Sequence, residues 1–392
     1  MTTESSVGGL DGLRAEILRI CSRLLESTDL SIDDDFFDKG GDSLLAMELM
    51  LELRQLTGKA LPDSLLFESS TVRALAQRLS EKESPRFRPA VRVGAASDGA
   101  KPLLFFHGDW SWGGFYLEHL ARKLGQEISL IAVSPHGPGG EPIPPSIEEM
   151  AADRLAAILE AQPTGPYRLA GHCIGGIVAF ETARLLTNLN NRVETVVMID
   201  SPVMVDGEAL KSPRWAPGVG HAGAGDQVAA QDDIPIRPAT PFGLAFELYT
   251  ERLAAYSPTP FPVRLLVLAS EYDGRDWVRL SEDAELLEIP GDHFDLVTVR
   301  INDLASNLRS WLSGKAPLGL SAPRPLPPIS QDETSPAGSS NPESQQSPAR
   351  DHEGEALESG TSKTEIPAPT IGMTKHESLS RRFRRLINYA RR

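Results

Sequence analysis

Cysteine is scarce in this sequence: the 392 residues include two, Cys21 and Cys173. Because they lie far apart and belong to no C-x-x-C or Cys/His cluster, the sequence predicts neither a disulfide framework nor a zinc site, and we expect no metal. Positive charge is also in deficit, with 39 Lys and Arg against 54 Asp and Glu and a net charge of −15. This deficit argues against nucleic acid as the main partner, because binding to phosphates normally needs a basic surface.

Long apolar runs are missing as well, since no stretch approaches the ~20 residues that span a bilayer. The first residues, MTTESSVGGLDG, lack the basic and apolar regions of a secretory signal. We therefore expect a soluble, cytoplasmic protein with no membrane partner. At roughly 100–200 residues per domain, the length allows two or three domains.

Changes in composition predict how the chain is divided. Proline, glycine and mixed charges interrupt a helical pattern after Ser80, and near Gly314 a stretch begins that is rich in Pro, Ser and Glu and poor in aromatics, which predicts disorder. The predicted parts are a small helical domain over 8–82, a linker over 83–100, a larger domain over 101–314 with a lid insertion at about 203–262, a disordered tail over 315–375, and a basic amphipathic helix over 376–392.

The basic helix, SLSRRFRRLINYARR, has apolar residues on one face and arginines around it. Such a helix can dock on an acidic partner or lie on an anionic membrane. The same pattern is compatible with a solvated, partly helical tail, and the sequence leaves this choice open.

The small domain is predicted to be a helical bundle of the four-helix type, and its sequence pattern marks three of the helices. Apolar residues recur at helical spacing in DGLRAEILRICSRLL and SLLAMELMLELRQL, and TVRALAQRL predicts a further helix with Thr71 as its N-cap. Cys21 lies on the apolar side of the first of these helices, so we expect it in the core. Fewer than ~80 residues form a marginal core, which suits a mobile module better than an enzyme.

Between the first two helices runs DDDFFDKGGDSLLAMEL, with Ser43 at the expected start of the second helix. Asp42 or Ser43 could serve only as a helix cap, but capping does not require the two glycines and the Asp-Ser-Leu. The stretch closely resembles the carrier domains of nonribosomal peptide and polyketide synthases. The resemblance implies that Ser43 bears a 4′-phosphopantetheine arm attached by a phosphopantetheinyl transferase, and that upstream synthetase or synthase modules load it with an acyl or peptidyl group.

The larger domain alternates short apolar strands with helical stretches. The strand candidates are PLLFFHG, SLIAVSP, YRLAGHC, VETVVMID and VRLLVLAS. Continuous apolar strands that alternate with helices predict a mostly parallel, doubly wound sheet covered on both faces, which is an α/β fold.

The strand YRLA is followed by GHCIGG, which is the nucleophile-elbow pattern G-x-S-x-G with Cys173 in place of serine. A free cysteine is more commonly a small buried hydrophobe, but the strand before the motif and the helix after it favour an exposed nucleophile. The predicted oxyanion donors are the backbone N–H of Ile174 and one from the loop after the first strand, for which Asp109 is the candidate.

A nucleophile on this turn needs a base and an acid, which follow it in the order acid, then base. His293, in the loop LLEIPGDHFDLV before the last helix, is the candidate base. Asp200 and Asp273 each end a strand and either could reach a histidine over the edge of the sheet. The residues alone leave both open.

Residues 101–312 resemble the type I thioesterase domains of nonribosomal peptide and polyketide synthases, which are α/β-hydrolases. The resemblance favours Asp200 as the acid and His293 as the base. The sequence departs from the family at Cys173, where the family usually has serine. The resemblance implies a carrier-thioesterase that moves an acyl or peptidyl group from Ser43 to Cys173 and releases it by hydrolysis, cyclisation or aminolysis. An acyltransferase that uses an external amine, and a carrier scaffold with an inactive hydrolase domain, are the alternatives.

Overall fold

The computed structural model describes residues 9–108, 113–137, 140–205, 208–209 and 241–319. Its N-terminal part is a bundle of the four-helix type, and the sequence pattern predicts each of its helices except the short third one. The helices are α1 (Gly9–Leu24), α2 (Ser43–Thr57), α3 (Ser64–Glu68) and α4 (Val72–Ser80). Thr71 caps α4 as predicted, since its side chain accepts a hydrogen bond from the backbone N–H of Ala74. Cys21 is buried in the bundle, with 2% of its surface exposed.

The larger part is built around a seven-stranded sheet. Its strands are β1 (Ala90–Val93), β2 (Lys101–Phe106), β3 (Ile128–Val133), β4 (Tyr167–His172), β5 (Val193–Ile199), β8 (Leu265–Ala269) and β9 (Ala284–Glu288), and β6 (Met204–Val205) pairs with β7 (Glu208–Ala209) outside the sheet. The helices are α5 (Tyr116–Leu124), α6 (Ile147–Ala161), α7 (Ile174–Asn188), α8 (Pro241–Ala255), α9 (Arg275–Val278) and α10 (Ile301–Leu312).

The strands of the sheet lie in the order β1-β3-β2-β4-β5-β8-β9, and all neighbours are parallel except β1 and β3. The five strands predicted from the sequence form its centre. The two strands at its edges were not among them. The strand β1 lies inside the stretch predicted to be a linker, and it forms because Val91 and Val93 are buried while Arg92 between them is exposed, the alternation of an edge strand with one covered face.

The core lies on both faces of the sheet, because side chains along each strand alternate in direction. On β2, Leu103 and Phe105 pack with the residues of α5 and α10, whereas Leu104 and Phe106 pack with those of α6 and α7. This arrangement is the doubly wound α/β fold that the sequence predicts. It brings the carboxyl ends of β2, β4, β5 and β8 to one edge, where ligands of such sheets bind.

Parts of the predicted lid, tail and basic helix lie outside the described residues. Of the lid at about 203–262, the structure describes the short β6–β7 pair and 241–262. Of the tail over 315–375 it describes 315–319, and the basic helix over 376–392 lies wholly outside. Within the described part of the chain, no helix combines the length and the apolar character needed to cross a membrane.

Candidate active site

The turn between β4 and α7 holds Cys173 in a strained backbone conformation. Its φ is 58° and its ψ is −135°, in a region that residues other than glycine rarely adopt. The turn closes only because its neighbours lack side chains: a Cβ on Gly175 would lie 2.1 Å from the carbonyl oxygen of Phe106. Cys173 is partly exposed, whereas Cys21 is buried. The alternative role for Cys173, a sealed core residue, does not fit this geometry.

A testable consequence concerns the stability of this turn. Gly175→Ala is expected to lower the free energy of unfolding by about 3 kcal/mol, because the added methyl group meets backbone atoms that cannot rotate away. Gly125→Ala is the control, since Gly125 has open space around its Cβ position and a positive φ that Gly175 lacks, so its substitution meets backbone strain without a clash and should cost about 1 kcal/mol. Urea unfolding followed by circular dichroism measures both, and equal losses would contradict the steric argument.

His293 lies beside Cys173, close enough for the charge of the sulfur to act on the imidazole. Its Nδ1 is 2.7 Å from Oδ2 of Asp200, which is 1% exposed. Burial alone would lower the pKa of His293, but the charge of Cys173 and the hydrogen bond to Asp200 more than offset this and raise it to about 10. The geometry and the charges therefore favour an imidazolium ion between the sulfur and the carboxylate at neutral pH.

Asp200 is held in place by the backbone of the neighbouring strand end. Its Oδ1 accepts hydrogen bonds from the N–H groups of Ser270, at 2.7 Å, and Tyr272, at 3.1 Å. Burial would raise the pKa of this carboxyl group, but the hydrogen bond from His293 and those from the backbone keep it below its ordinary value. The side chain is thus an ionised acceptor aimed at the imidazole.

Asp273, the other candidate acid, has a different partner. Both of its carboxylate oxygens lie 3.0 Å from Nε of Arg275, two residues along the chain. Among the described residues, the carboxylate within hydrogen-bonding distance of the His293 ring is that of Asp200. The structure therefore brings together Cys173, His293 and Asp200, whereas Asp273 is paired with Arg275.

A second histidine, which the sequence reasoning did not assign, lies directly behind His293. The rings of His172 and His293 are stacked with centroids 4.4 Å apart, and Nε2 of His172 lies 3.0 Å from the carbonyl oxygen of His293. Burial and the charge of His293 lower the pKa of His172 to about 3, so it is neutral and can donate this hydrogen bond. The sequence signal for His172 is its position directly before the nucleophile, at the end of a strand predicted to be buried.

Two aromatic side chains flank the other sides of the imidazole. The ring centroids of Tyr272 and Phe294 each lie 5.2 Å from that of His293, in edge-on geometry. Burial first, and then the charges of Cys173 and Glu271, raise the pKa of Tyr272, so its hydroxyl stays protonated beside the nucleophile. Phe294 is 47% exposed and so presents an apolar surface to a molecule that enters the site.

Of the two predicted oxyanion donors, one can be placed. The Ile174 N–H lies at the N-terminus of α7, directly after Cys173. Asp109 lies outside the described residues. The residue before it, Gly108, passes close to the nucleophile, because a Cβ on Gly108 would be 2.9 Å from the Cβ of Cys173. The loop after β2 thus begins beside the sulfur, as a second donor would require.

Ser43 is the first residue of α2, and Asp42 caps that helix. Oδ1 of Asp42 accepts hydrogen bonds from the N–H groups of Leu44, at 3.0 Å, and Leu45, at 2.9 Å, so capping does not need the Ser43 hydroxyl. A Cβ on Gly41 would lie 2.4 Å from the ring of Phe36, which explains why the motif has glycine there. Ser43 is only partly buried, and a helix N-terminus favours a phosphodiester, so the residues fit a phosphopantetheine group.

Two family models match the chain. One, described as phosphopantetheine attachment site, matches residues 15–79, and one, described as thioesterase domain, matches residues 101–220. Indigoidine synthase of Streptomyces lavendulae is 37% identical over 190 residues, which are 47% of this chain and 14% of that protein. The dimodular nonribosomal peptide synthase of Bacillus subtilis (strain 168) is 36% identical over 189 residues, which are 46% of this chain and 8% of that protein. The chain thus spans a small part of the length of these relatives.

Two solved structures are similar to the chain. A four-domain nonribosomal peptide synthetase, in its holo form with AMP and glycine, covers 79% of this chain and 26% of its own, with 23% identity and a TM-score of 0.47. The NocB thioesterase domain from the nocardicin cluster covers 56% of this chain and 96% of its own, with 23% identity and a TM-score of 0.41.

The two family matches fall on two different folds within the chain. The match to the phosphopantetheine attachment site lies in the helical bundle, and the match to the thioesterase domain lies in the part with the α/β-hydrolase fold. The chain's relatives include nonribosomal peptide synthases. The match to the phosphopantetheine attachment site confirms the prediction of a covalently attached phosphopantetheine cofactor.

Proposed function

We propose that the protein is a carrier-thioesterase of secondary-metabolite biosynthesis. It takes an acyl or peptidyl thioester on the phosphopantetheine arm of Ser43, transfers the acyl group to Cys173, and releases it by hydrolysis, cyclisation or aminolysis. The observation that carries this proposal is the row of Cys173, His293 and Asp200 at the carboxyl edge of the parallel sheet, in which His293 lies beside Cys173 and hydrogen-bonds to Asp200. The row has the geometry of nucleophile, base and orienting acid.

The first half of the reaction uses the protonated form of His293. When bound to Ser43, the arm supplies a thiol that holds the acyl group as a thioester. The Cys173 thiolate attacks the thioester carbonyl, and the Ile174 N–H stabilises the negative charge on the carbonyl oxygen. As the carbon–sulfur bond of the incoming thioester breaks, His293 gives its proton to the leaving thiolate. One thioester replaces another, so the acyl group stays activated.

The second half uses the same imidazole as a base. Burial lowers the pKa of His293, and the charges of Cys173 and Asp200 raise it. Acylation removes the charge of the sulfur, which lets the pKa of His293 fall and leaves a neutral imidazole. This imidazole takes a proton from the attacking amine, hydroxyl or water, and Cys173 leaves as a thiolate. Asp200 keeps the proton-accepting nitrogen of His293 turned toward the sulfur.

The proposal includes the partners and the division of the chain. A phosphopantetheinyl transferase modifies Ser43, and upstream synthetase or synthase modules load the arm, in the cytoplasm. The carrier domain extends over 8–82 and the thioesterase domain over 101–314. Release to an external amine is the second candidate, and it is favoured by Cys173, because a thioester is a better acyl donor to amines than the oxyester that serine would form.

Intact-protein mass spectrometry tests this function. The chain is treated with a phosphopantetheinyl transferase and an acyl-coenzyme A, which load a known acyl group in one step. We expect an acyl-pantetheine adduct on Ser43, followed by a transient acyl adduct on Cys173 and its loss. Ser43→Ala is expected to show neither adduct. Stable acyl on Ser43 in the unaltered chain, with none on Cys173, would support an inactive scaffold instead.

The same loading reaction separates the modes of release. Product analysis with and without an added amine distinguishes hydrolysis from transfer, because only transfer yields an amide of the added amine. An acyl group that carries its own amine tests for cyclisation, because that amine can attack the acyl-enzyme and close a ring. A free acid as the sole product in every case would leave the thioesterase function in place and remove the proposal of aminolysis.

A further inference from the structure

The carrier domain rests on α5 of the thioesterase domain through both charged and aromatic contacts. Arg122, on α5, places Nη2 3.0 Å from a carboxylate oxygen of Asp35 and 3.0 Å from one of Asp38. Its guanidinium carbon lies 5.8 Å from the centre of the Phe37 ring. These three carrier residues belong to the acidic loop, residues 33–42, which directly precedes Ser43.

A second set of contacts lies at the start of α5. The rings of Phe67, on α3 of the carrier, and Phe115 have centroids 5.4 Å apart. The backbone of Gly113 approaches the carrier so closely that a Cβ there would lie 2.6 Å from the Cβ of Asp63. The apolar side chains of the bundle and of the α5 face of the sheet form one continuous cluster. The contact is thus a packed interface as well as a charge pair.

Glu118 lies at this interface, one helical turn before Arg122. It is 4% exposed, and its Oε2 would lie 3.9 Å from a Cβ on Gly94, so the carboxylate packs against the end of β1. The charged groups that act on it are Asp35 and Asp38 from the acidic loop and Arg122 from its own helix. An ionised Glu118 would therefore place a third carboxylate near two others, with one guanidinium to balance them.

We propose that α5 is the docking surface for the carrier domain of the same chain, and that loss of a proton from Glu118 releases the carrier. The released carrier exposes the acidic loop beside Ser43 to the enzymes that load it. The docked carrier is held against the thioesterase domain. Because the two domains are tethered, a modest change in the contact is enough to shift the balance.

The direction of the pH effect follows from the charges around Glu118. Burial, and then the charge of Asp35, raise the pKa of Glu118 to about 7 when the carrier is docked. Moving Asp35 and Asp38 away lowers that pKa, so docking takes up a proton. Docking is therefore strongest at acidic pH, weakens by up to about tenfold per pH unit as pH rises toward 7, and levels off above it.

His119, also on α5, is near a carboxylate of the carrier. Asp42 acts on His119 and raises its pKa, but burial, Lys123 and Arg122 outweigh this and lower it. At the far end of α5, Arg309 of α10 donates to the carbonyl oxygen of Lys123 and holds that end of the helix in the thioesterase domain.

Nitrogen-15 TROSY relaxation of the full chain at pH 6.0 and pH 8.0 tests the proposal without any label on Ser43 or any catalytic step. In the unaltered protein, amides of the carrier and thioesterase domains should share one rotational correlation time at pH 6.0, and the carrier value should become shorter at pH 8.0. Glu118→Gln should keep the shared value at both pH values. His119→Gln should behave like the unaltered protein.

Charge variants test the contact itself. Arg122→Asp should separate the two correlation times even at pH 6.0, and the additional change Asp38→Arg should restore the shared value. Arg19→Ala, which removes an arginine paired within α1, is the matched control and should change nothing. The proposal is overturned if the unaltered chain gives the same relaxation at both pH values, or if Glu118→Gln follows it. Acyl release, measured separately, reports on the proposed function.

Discussion

Replacing Cys173 with alanine is expected to stop acyl release while the carrier still accepts its acyl group on Ser43. The rate of release from the loaded chain should fall by about 10⁴-fold or more, as it does when the nucleophile of a catalytic triad is removed. Single-turnover release followed by intact-protein mass spectrometry measures this rate. Release at the unaltered rate would show that another group, or water alone, cleaves the thioester.

Cys173→Ser keeps a nucleophile at this position but changes the acyl-enzyme from a thioester to an oxyester. Transfer to serine converts a thioester into a more stable oxyester, so part of the driving force is lost before the acceptor arrives. We expect this variant to form its acyl-enzyme and to give less amide relative to free acid than the unaltered chain. An unchanged product ratio would contradict the explanation offered for the cysteine.

Much of the fold could be predicted because its signals are local. The five central strands are continuous apolar runs, and the elbow is marked by glycines whose Cβ positions are filled by backbone atoms. The edge strand β1 was missed because its apolar positions alternate over only four residues and its partner β3 comes about forty residues later in the chain. Such a pairing depends on contacts that a local pattern does not contain.

The candidate site, like the fold, could be predicted only where its signals are local. Cys173 and His293 were predicted from a motif and from chain order, whereas the acid was left open between two strand ends. The choice depends on partners: Asp273 binds Arg275 close by in the sequence, while Asp200 meets a histidine 93 positions away. The roles of His172 behind the imidazole and of Glu118 under the carrier likewise arise from packing between distant segments.

Asp200→Asn is expected to reduce single-turnover release by about 10⁴-fold, as the equivalent change does in a serine protease triad. The asparagine oxygen can still accept the N–H groups of Ser270 and Tyr272, which fixes the orientation of the side chain. Its NH₂ group then faces Nδ1 of His293 and donates where the carboxylate accepted, so the imidazole is held in the wrong tautomer.

Asp273→Asn is the matched control, since it makes the same chemical change at the next strand end. It removes a charge paired with Arg275, on a side chain that does not contact His293, so release should stay within about twofold of the unaltered rate for a change outside the catalytic row. Comparable losses from the two variants would contradict the assignment of Asp200. If Asp200→Asn alone is impaired and its near-ultraviolet circular dichroism is unchanged, the loss lies in the orientation of one imidazole, because the fold, the sulfur and the histidine are all still present.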